Sequence, residues 1–370
     1  MAAPPDRRAA SETPAAIAAT MLLAALAAFA VAGLLFIPYG TDPLSAYAFL
    51  FAEAFGSLRG FGFTLVQATP LILIAQGTVL AWRAGLGYVG FEGCFVLGAA
   101  AAAWLALGGT PDGFPYALPP ALFFPAVLAL SFAAGAVWAG MIGVLRVRFR
   151  GNEVLTSLMA NYVAAFIVQY LVSGPMRQPG SLPQTPRLPR DTWLPYLIPE
   201  ARTHAGILIA LVASGLVAVL LRATPTGYEI IASGINARAA RYGGIPVARR
   251  QMLAILLAGG LAALAGLGAV LGVQHRLMDG LAGGAGFVGI VVALLARLDP
   301  LAVVPAAILY GGLEVGGAAM QRDTGVPSAV VFILESLVVL FILGSGLLRG
   351  WRLPLPWSGR WRATSRKAAE

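Results

Sequence analysis

Apolar runs of about twenty residues recur along almost the whole of this chain, and charged residues are too few to interrupt them. Of 370 residues, 59% are hydrophobic and 11% are charged, whereas water-soluble domains carry about 25% charged residues. So little charge cannot cover a water-exposed surface, so the chain folds in lipid. Ten runs approach the ~20 residues that a helix needs to cross a bilayer. They are 15–38, 61–82, 86–108, 120–145, 154–173, 204–222, 251–273, 281–296, 301–320 and 328–348. A transmembrane barrel would alternate apolar and polar residues in short strands; these runs are unbroken. The expected fold is therefore all-α, a polytopic membrane protein with about ten transmembrane helices. The eighth run is short and rich in glycine (Gly283, Gly284, Gly286, Gly289), which reads as a broken or re-entrant element. Residues 43–57 read as an amphipathic segment lying on the outer surface. Abundant glycine and alanine suit close helix packing in a bilayer.

This divides the chain into an N-terminal tail (1–14), a membrane domain (15–348) and a basic C-terminal tail (349–370). Arg7 and Arg8 precede an apolar run longer than a signal-peptide core, with no clear cleavage site, so the run reads as an uncleaved first span. The tail carries Trp351, Trp357 and Trp361 among its basic residues, a composition that anchors to the interface and anionic lipid. The net charge of +9 does not indicate nucleic acid, because the basic residues sit in short loops between spans. With both termini in the cytoplasm, all but seven of the 25 Lys and Arg residues fall on the cytoplasmic side. The seven are Arg59, Arg177, Arg187, Arg190, Arg202, Arg276 and Arg322. That bias is the expected one for a cell-membrane protein. The longest outer loop, about 174–203, holds seven prolines and favours extended chain; it is either a docking rim or a surface connection.

One polar island, residues 227–250, interrupts the apolar pattern on the cytoplasmic side. Asn236 is placed to cap a short helix over Ala237–Tyr242, and Gly243-Gly244 followed by Ile245-Pro246 ends it. Arg238 and Arg241, three apart, share a face. A rigid capped helix between two spans is what a membrane subunit needs to take a push from a soluble motor.

Several chemistries are excluded. There is no G-x-x-x-x-G-K-[ST] for binding ATP, no G-x-S-x-G and no H-E-x-x-H. The one cysteine, Cys94, forms no internal disulfide, and His204 and His275 lack partner cysteines, so no metal or catalytic residue is assigned. Glu92, Glu314 and Glu335 lie inside apolar spans, where a carboxylate is costly unless paired or in a wet cavity. Each is a functional candidate; the alternative is a structural acid held by helix ends or amides. Gln67, Gln76 and Asn161 are neutral amides at membrane depth that can read a polar solute, or serve as glue between helices. Phe91 can stack on a flat ring or simply pack. Gln67, Gln76, Phe91, Glu92 and Asn161 are the candidate solute-path residues.

The island's Gly234, Asn236, Ala239, Ala240, Gly244 and Ile245 form a Gly-x-Asn-x-x-Ala-Ala-x-x-x-Gly-Ile pattern. It resembles the cytoplasmic coupling loop of ABC-transporter permeases for simple sugars, nucleosides and branched-chain amino acids. Four further stretches are similar to that family: Arg83-Ala84-Gly85 through Gly93, Asn152-Glu153-Val154 through Asn161-Tyr162, Gly174-Pro175 with Pro183-Gln184-Thr185-Pro186, and Gly286-Phe287 through Leu295 with Gly325-Val326-Pro327. The set resembles permeases that work with basic-membrane-protein-type lipoproteins. Three departures from the pattern stand out. Tyr88 replaces a frequent Asn, Cys94 a frequent Gln, and Arg297-Leu298-Asp299 an R-N-N-like turn. The resemblance implies an ATP-driven importer of nucleosides or related solutes, working by alternating access in the bacterial inner membrane. Its coupling residues would be Gly234, Asn236, Arg238, Ala239, Ala240, Arg241, Gly244 and Ile245. It implies no cofactor on this chain, with ATP used by a partner ABC ATPase. It also implies an extracytoplasmic substrate-binding lipoprotein and a second permease, in a heterodimer or a homodimer. A permease for simple sugars or branched-chain amino acids is the nearest alternative. An ion-coupled secondary transporter is an alternative of another class, disfavoured by the lack of an internal repeat.

Overall fold

The computed structural model of the protein describes residues 14–39, 42–108, 119–149, 151–180 and 182–348. Most of both expected tails, with Trp351, Trp357 and Trp361, lies outside the described residues. The helices are α1 (Pro14–Gly33), α2 (Pro43–Phe55), α3 (Leu58–Arg83), α4 (Phe91–Ala106), α5 (Pro120–Phe149), α6 (Glu153–Ser173), α7 (Gly206–Ala223), α8 (Pro225–Ile235), α9 (Ala237–Tyr242), α10 (Val247–Gly268), α11 (Ala285–Leu295), α12 (Val303–Thr324) and α13 (Ser328–Leu348). A two-stranded hairpin, β1 (Tyr196–Ile198) with β2 (Thr203–His204), precedes α7. The contacts group the described residues into two units: one holds those up to Leu35 together with residues 332–348, the other holds those of Phe36–Val331. Both candidate sites belong to the second unit.

Among the described residues six helices are long and apolar enough to cross a membrane: α3, α5, α6, α7, α10 with its extension, and α12. Two expected spans are shorter as helices, for local reasons. The run 86–108 starts only at Phe91, because residues 84–90 form a turn that opens on Gly85 at φ +77°. The run 281–296 starts only at Ala285, because Gly280, Gly283 and Gly284 all adopt positive φ. The expected span at 204–222 also loses its first residues, since His204 belongs to β2 and the helix begins at Gly206. The segment at 43–57 is a true helix, with Asp42 accepting from the Ser45 N–H at 3.0 Å and one face buried through Ala46, Leu50 and Ala54.

Helix α10 is the hub of the larger unit and packs on α3, α4 and α5. Small residues make this possible: a side chain on Gly259 of α10 would run into the Gly135 carbonyl of α5, so the two backbones touch directly. At its far end α10 continues as one turn of π-helix, Ala269–Gln274. The proline-rich 174–203 loop is stitched to that turn. The N–H groups of Leu194, Leu188 and Thr185 donate to the carbonyls of Leu271, His275 and Leu277 at 3.0, 2.9 and 2.9 Å. It is a fastened cover rather than a free connection.

Candidate functional site

At one end of the bundle stands the short helix that the island's residues specify. The Asn236 Oδ1 accepts from the N–H groups of Arg238 and Ala239 at 3.1 and 3.0 Å. At the other terminus the Ile245 N–H reaches the Ala240 carbonyl and the Gly244 N–H the Arg241 carbonyl, both at 3.0 Å. Gly244 supplies the left-handed conformation (φ +83°) that this closure requires. Ala240 is buried, whereas Ile235 and Tyr242 project, 82% and 89% exposed. Six residues fixed at both ends make a rigid knob with a protruding aromatic ring.

The end of α8, which leads into the knob, is seated on the end of α3. Gly234 lies so close to the turn at Arg83–Gly85 that any side chain on it would overlap the Arg83 carbonyl, and a Cβ on Gly85 would stand 2.9 Å from the Gly234 Cα. The same turn receives Gln251 of α10, whose Nε2 donates to the Ala84 carbonyl at 3.2 Å. Arg83 in turn donates from Nε to the Leu298 carbonyl at 2.9 Å. Arg222 and Asp299, 2.6 Å apart, close the neighbouring junction between α7 and the α11–α12 turn. The Asp299 carboxyl stays below its ordinary range: burial opposes this, but the Leu301 and Ala302 N–H groups and Arg222 outweigh it. Beside the knob a cavity of about 340 Å³ is lined by Arg146, Ala237 and Arg241.

Two cavities open at the hairpin end. The first, about 490 Å³, is lined by Arg59, Phe63, Arg202 and Arg322 among others. The second, about 240 Å³, lies deeper against the π-turn, Phe95 and His204. They share one wall made of Val66, Gln67, Val273 and Glu314. There the Gln67 Nε2 donates to the Glu314 Oε2 at 3.2 Å. Gln67 is nine residues from the start of α3, so the pair sits ~14 Å inside that helix end. A π-turn at such a place is typical of functional sites, because its wider ring re-aims side chains.

The other four solute-path candidates line neither cavity. Gln76 is fully buried, its Nε2 donating to the Ser214 Oγ at 2.8 Å and the Pro300 carbonyl at 2.7 Å. Asn161 accepts from the Gly93 N–H at 2.9 Å and donates to the Val89 carbonyl at 3.2 Å. Phe91 is buried edge-on against Tyr88. Glu92 accepts from the N–H groups of Gly284 and Gly286 at 2.9 and 2.7 Å. It thus holds the N-terminus of α11, where backbone N–H groups and the helix dipole favour a negative charge. Two departures from the family pattern also find each other: the Tyr88 hydroxyl and the Cys94 Sγ are 3.1 Å apart. Sequence reading weighed Glu314 but did not pair it with Gln67.

His204 and His275 pin the cover. His275 stacks flat on Trp193, with centroids 3.6 Å apart, and its Nε2 meets the Tyr196 hydroxyl at 3.0 Å. Arg187 also lies over the Trp193 ring, 4.9 Å from its centroid. Burial, then the neighbouring His275, pushes His204 down to about 4. Burial and the charges of Arg187 and Arg202 lower His275, against a backbone carbonyl at Leu271 that raises it.

A bundle of membrane-crossing helices, with mostly apolar cavities carrying a few polar groups at one end and a rigid knob at the other, is the architecture of a solute permease. The chain belongs to the family described as branched-chain amino acid transport system / permease component, whose model matches residues 60–343. It is 35% identical over 352 residues to the glucose ABC transporter permease protein TsgB13 of Haloferax volcanii, covering 92% of this chain and 91% of that one. It is 33% identical to the guanosine ABC transporter permease protein NupP of Bacillus subtilis, covering 89% and 93% of the two chains. It is 30% identical to the nucleoside ABC transporter permease protein NupB of Lactococcus lactis, covering 87% and 89%. No solved structure matches the chain. The protein is a multi-pass membrane component of a transport system, and the family's part in that system is transport rather than catalysis.

Proposed function

We propose that the chain is the permease subunit of an ATP-driven importer for nucleosides. The observation that carries the reading is the Gln67–Glu314 pair at the wall shared by two cavities. Ionisable and amide side chains at membrane depth mark solute pathways. Two relatives named for guanosine or nucleoside transport favour this solute class. In this reading α9 faces the cytoplasm and docks on a partner ABC ATPase through Arg238, Arg241 and Tyr242. The hairpin end faces outward, toward a substrate-binding lipoprotein. A second permease completes the solute path, and α1, α4, α11 and α13 bring the crossings to about ten. Gln76, Asn161, Phe91 and Glu92 then act on the path through the helices they join. The relative named for glucose supports a simple-sugar permease as the second reading.

The test is uptake of radiolabelled uridine into liposomes holding the whole importer, with ATP supplied on the ATPase side. Uptake should require ATP and persist when a protonophore collapses the proton gradient at fixed ATP. Uptake that disappears with the gradient would establish an ion-coupled transporter instead. Uptake of glucose in place of uridine would favour the second reading.

A further inference from the structure

His204 stands in the wall of the inner cavity with one ring nitrogen unused. It is 2% exposed, lies in β2 just ahead of α7, and lines that cavity with Phe95 and the π-turn. Its Nδ1 accepts from the Gly206 N–H at 3.1 Å. A nitrogen that accepts carries no proton, so the neutral ring holds its one proton on Nε2. Burial, with His275 nearby, keeps the ring neutral down to about pH 4. Two backbones fix its direction. A side chain on Gly206 would overlap the ring at Cε1 and Nδ1, and one on Gly272 of the π-turn would overlap it at Cδ2 and Cγ. The atom left over is Nε2, which has no hydrogen-bond partner among the described residues. Holding Gly206 accounts for Nδ1 alone. A deeply buried N–H without an acceptor is costly, and the inner cavity is the space in which this one can be met.

We propose that the His204 Nε2–H is held out to the solute as a hydrogen-bond donor, and that it selects nucleosides whose base carries a carbonyl oxygen over those whose base has none. The inference rests on the nucleoside reading and on the inner cavity being part of the solute path. Around the donor the walls are largely apolar, with Leu71, Phe95, Ala265, Ala269 and Val288. The nearby Thr69 hydroxyl already donates to the Leu65 carbonyl at 2.7 Å. A flat base with a carbonyl at its edge suits such a surface, since its faces meet apolar groups and its oxygen meets the donor. A sugar turned the same way would leave several hydroxyls against apolar walls, each an unpaired buried group. A carbonyl only accepts and an exocyclic amine only donates, so a fixed N–H tells the two apart. The proton cannot move to Nδ1 while Gly206 donates there, so the donor does not turn into an acceptor.

The experiment compares inosine, whose base has a single carbonyl, with purine riboside, whose base has none. The efficiency of uptake, kcat/KM, is measured for each in liposomes holding the whole importer, with ATP supplied. Any preference of a partner subunit enters the unaltered protein and the variants equally, so the change in the inosine-to-purine-riboside ratio belongs to this chain. His204→Asn sets an oxygen where Nδ1 stood, able to accept from Gly206, and has nothing at the place of Nε2. The ratio should fall about ten-fold. His204→Gln brings an amide N–H to the place of Nε2 and should keep the ratio within about two-fold. An unchanged ratio in a folded His204→Asn protein overturns the donor. An equal fall in His204→Gln also overturns it, since a purely structural histidine would give that result. Nitrogen-15 spectra of the histidine ring cover the case in which neither variant folds. The chain has two histidines, so in the His275→Phe protein the signal is that of His204. It should show a protonated Nε2 and a bare Nδ1, with Nε2 moving when inosine is added and not when purine riboside is added. A proton on Nδ1, or a signal that both nucleosides move alike or neither moves, overturns the proposal. Uptake of glucose and of neither nucleoside overturns the nucleoside reading, and the donor's selectivity with it. Uptake of both nucleosides with an unchanged ratio overturns the donor and leaves that reading standing.

Discussion

At the scale of single residues, the turn between α11 and α12 fits its side chains poorly. Arg297 and Leu298 both adopt left-handed backbone, at φ +54° and +57°, a conformation that Asn tolerates far better than Leu. The family pattern has Asn-like residues in this turn, and the structure supplies the reason. Leu298 cannot simply rotate away, because its carbonyl holds Arg83 and its N–H holds the Ala293 carbonyl at 2.8 Å. Leu298→Asn should accordingly stabilise the protein by about 0.5–1 kcal/mol, read as a rise in the midpoint of thermal unfolding in detergent. A fall would mean that the partly buried leucine contributes more by packing than it costs by strain. Glu92 gives the opposite case. Glu92→Leu strands two N–H groups, at about 1–3 kcal/mol each, while Glu92→Gln retains one acceptor and should lose less. Neither partnership was legible in the sequence. Glu92 and Gly284 are 192 residues apart, Gln67 and Glu314 are 247 apart, and nothing local to either residue names its partner.

At the scale of elements, legibility follows how local the determinants are. Asn236 and the Gly243-Gly244 pair specify α9 within nine residues, so its bounds could be read directly. The start of α11 depends on three glycines whose backbone conformation only the fold decides. For α9, Asn236→Ala should cost about 1 kcal/mol of local helix stability. It should reduce transport while nucleotide hydrolysis by the partner continues. Tyr242→Asp, at the exposed tip, should do so without loss of folding. Normal uptake in both variants, at normal protein levels, would remove α9 from the coupling role. The hairpin cover responds to pH instead. His204 and His275 are both held below their ordinary value near 6.5. The folded state therefore disfavours their protonation. Their contribution is complete above about pH 6.5 and declines as pH falls toward the folded values. The protection factors of the amides in residues 174–204, that is their exchange corrected for its intrinsic pH dependence, should thus fall between pH 6.5 and about 4, the value for His204. His275→Phe, which keeps the stack on Trp193, should flatten part of that dependence. A flat profile in the unaltered protein would show that the prolines and backbone bonds hold the cover unaided.

At the scale of the whole molecule, orientation is the property that the sequence addresses through the distribution of charge. Leu182 is 60% exposed on the cover, at the end remote from α9. In a Cys94→Ala background, Leu182→Cys should react with a membrane-impermeant thiol reagent added to intact cells, and Ala237→Cys should not. The reverse labelling would turn the protein over and place α9 beyond reach of a cytoplasmic motor. The span count was only partly legible, because apolar composition marks what can enter lipid, not where a helix begins. Helix α3 joins the two ends. Its last turn is clamped by Gly234, by Gln251 and, through Arg83, by Leu298, and its shared-wall residues, Val66 and Gln67, lie roughly 24 Å away along the axis. Between them stands Pro70, which has no N–H to give to the Val66 carbonyl. A rod gripped at one end and notched near the other does not slide when pushed. In the proposed coupling it would pivot at the notch, so that a small displacement of the clamp would swing the aperture through an angle, as a crank does.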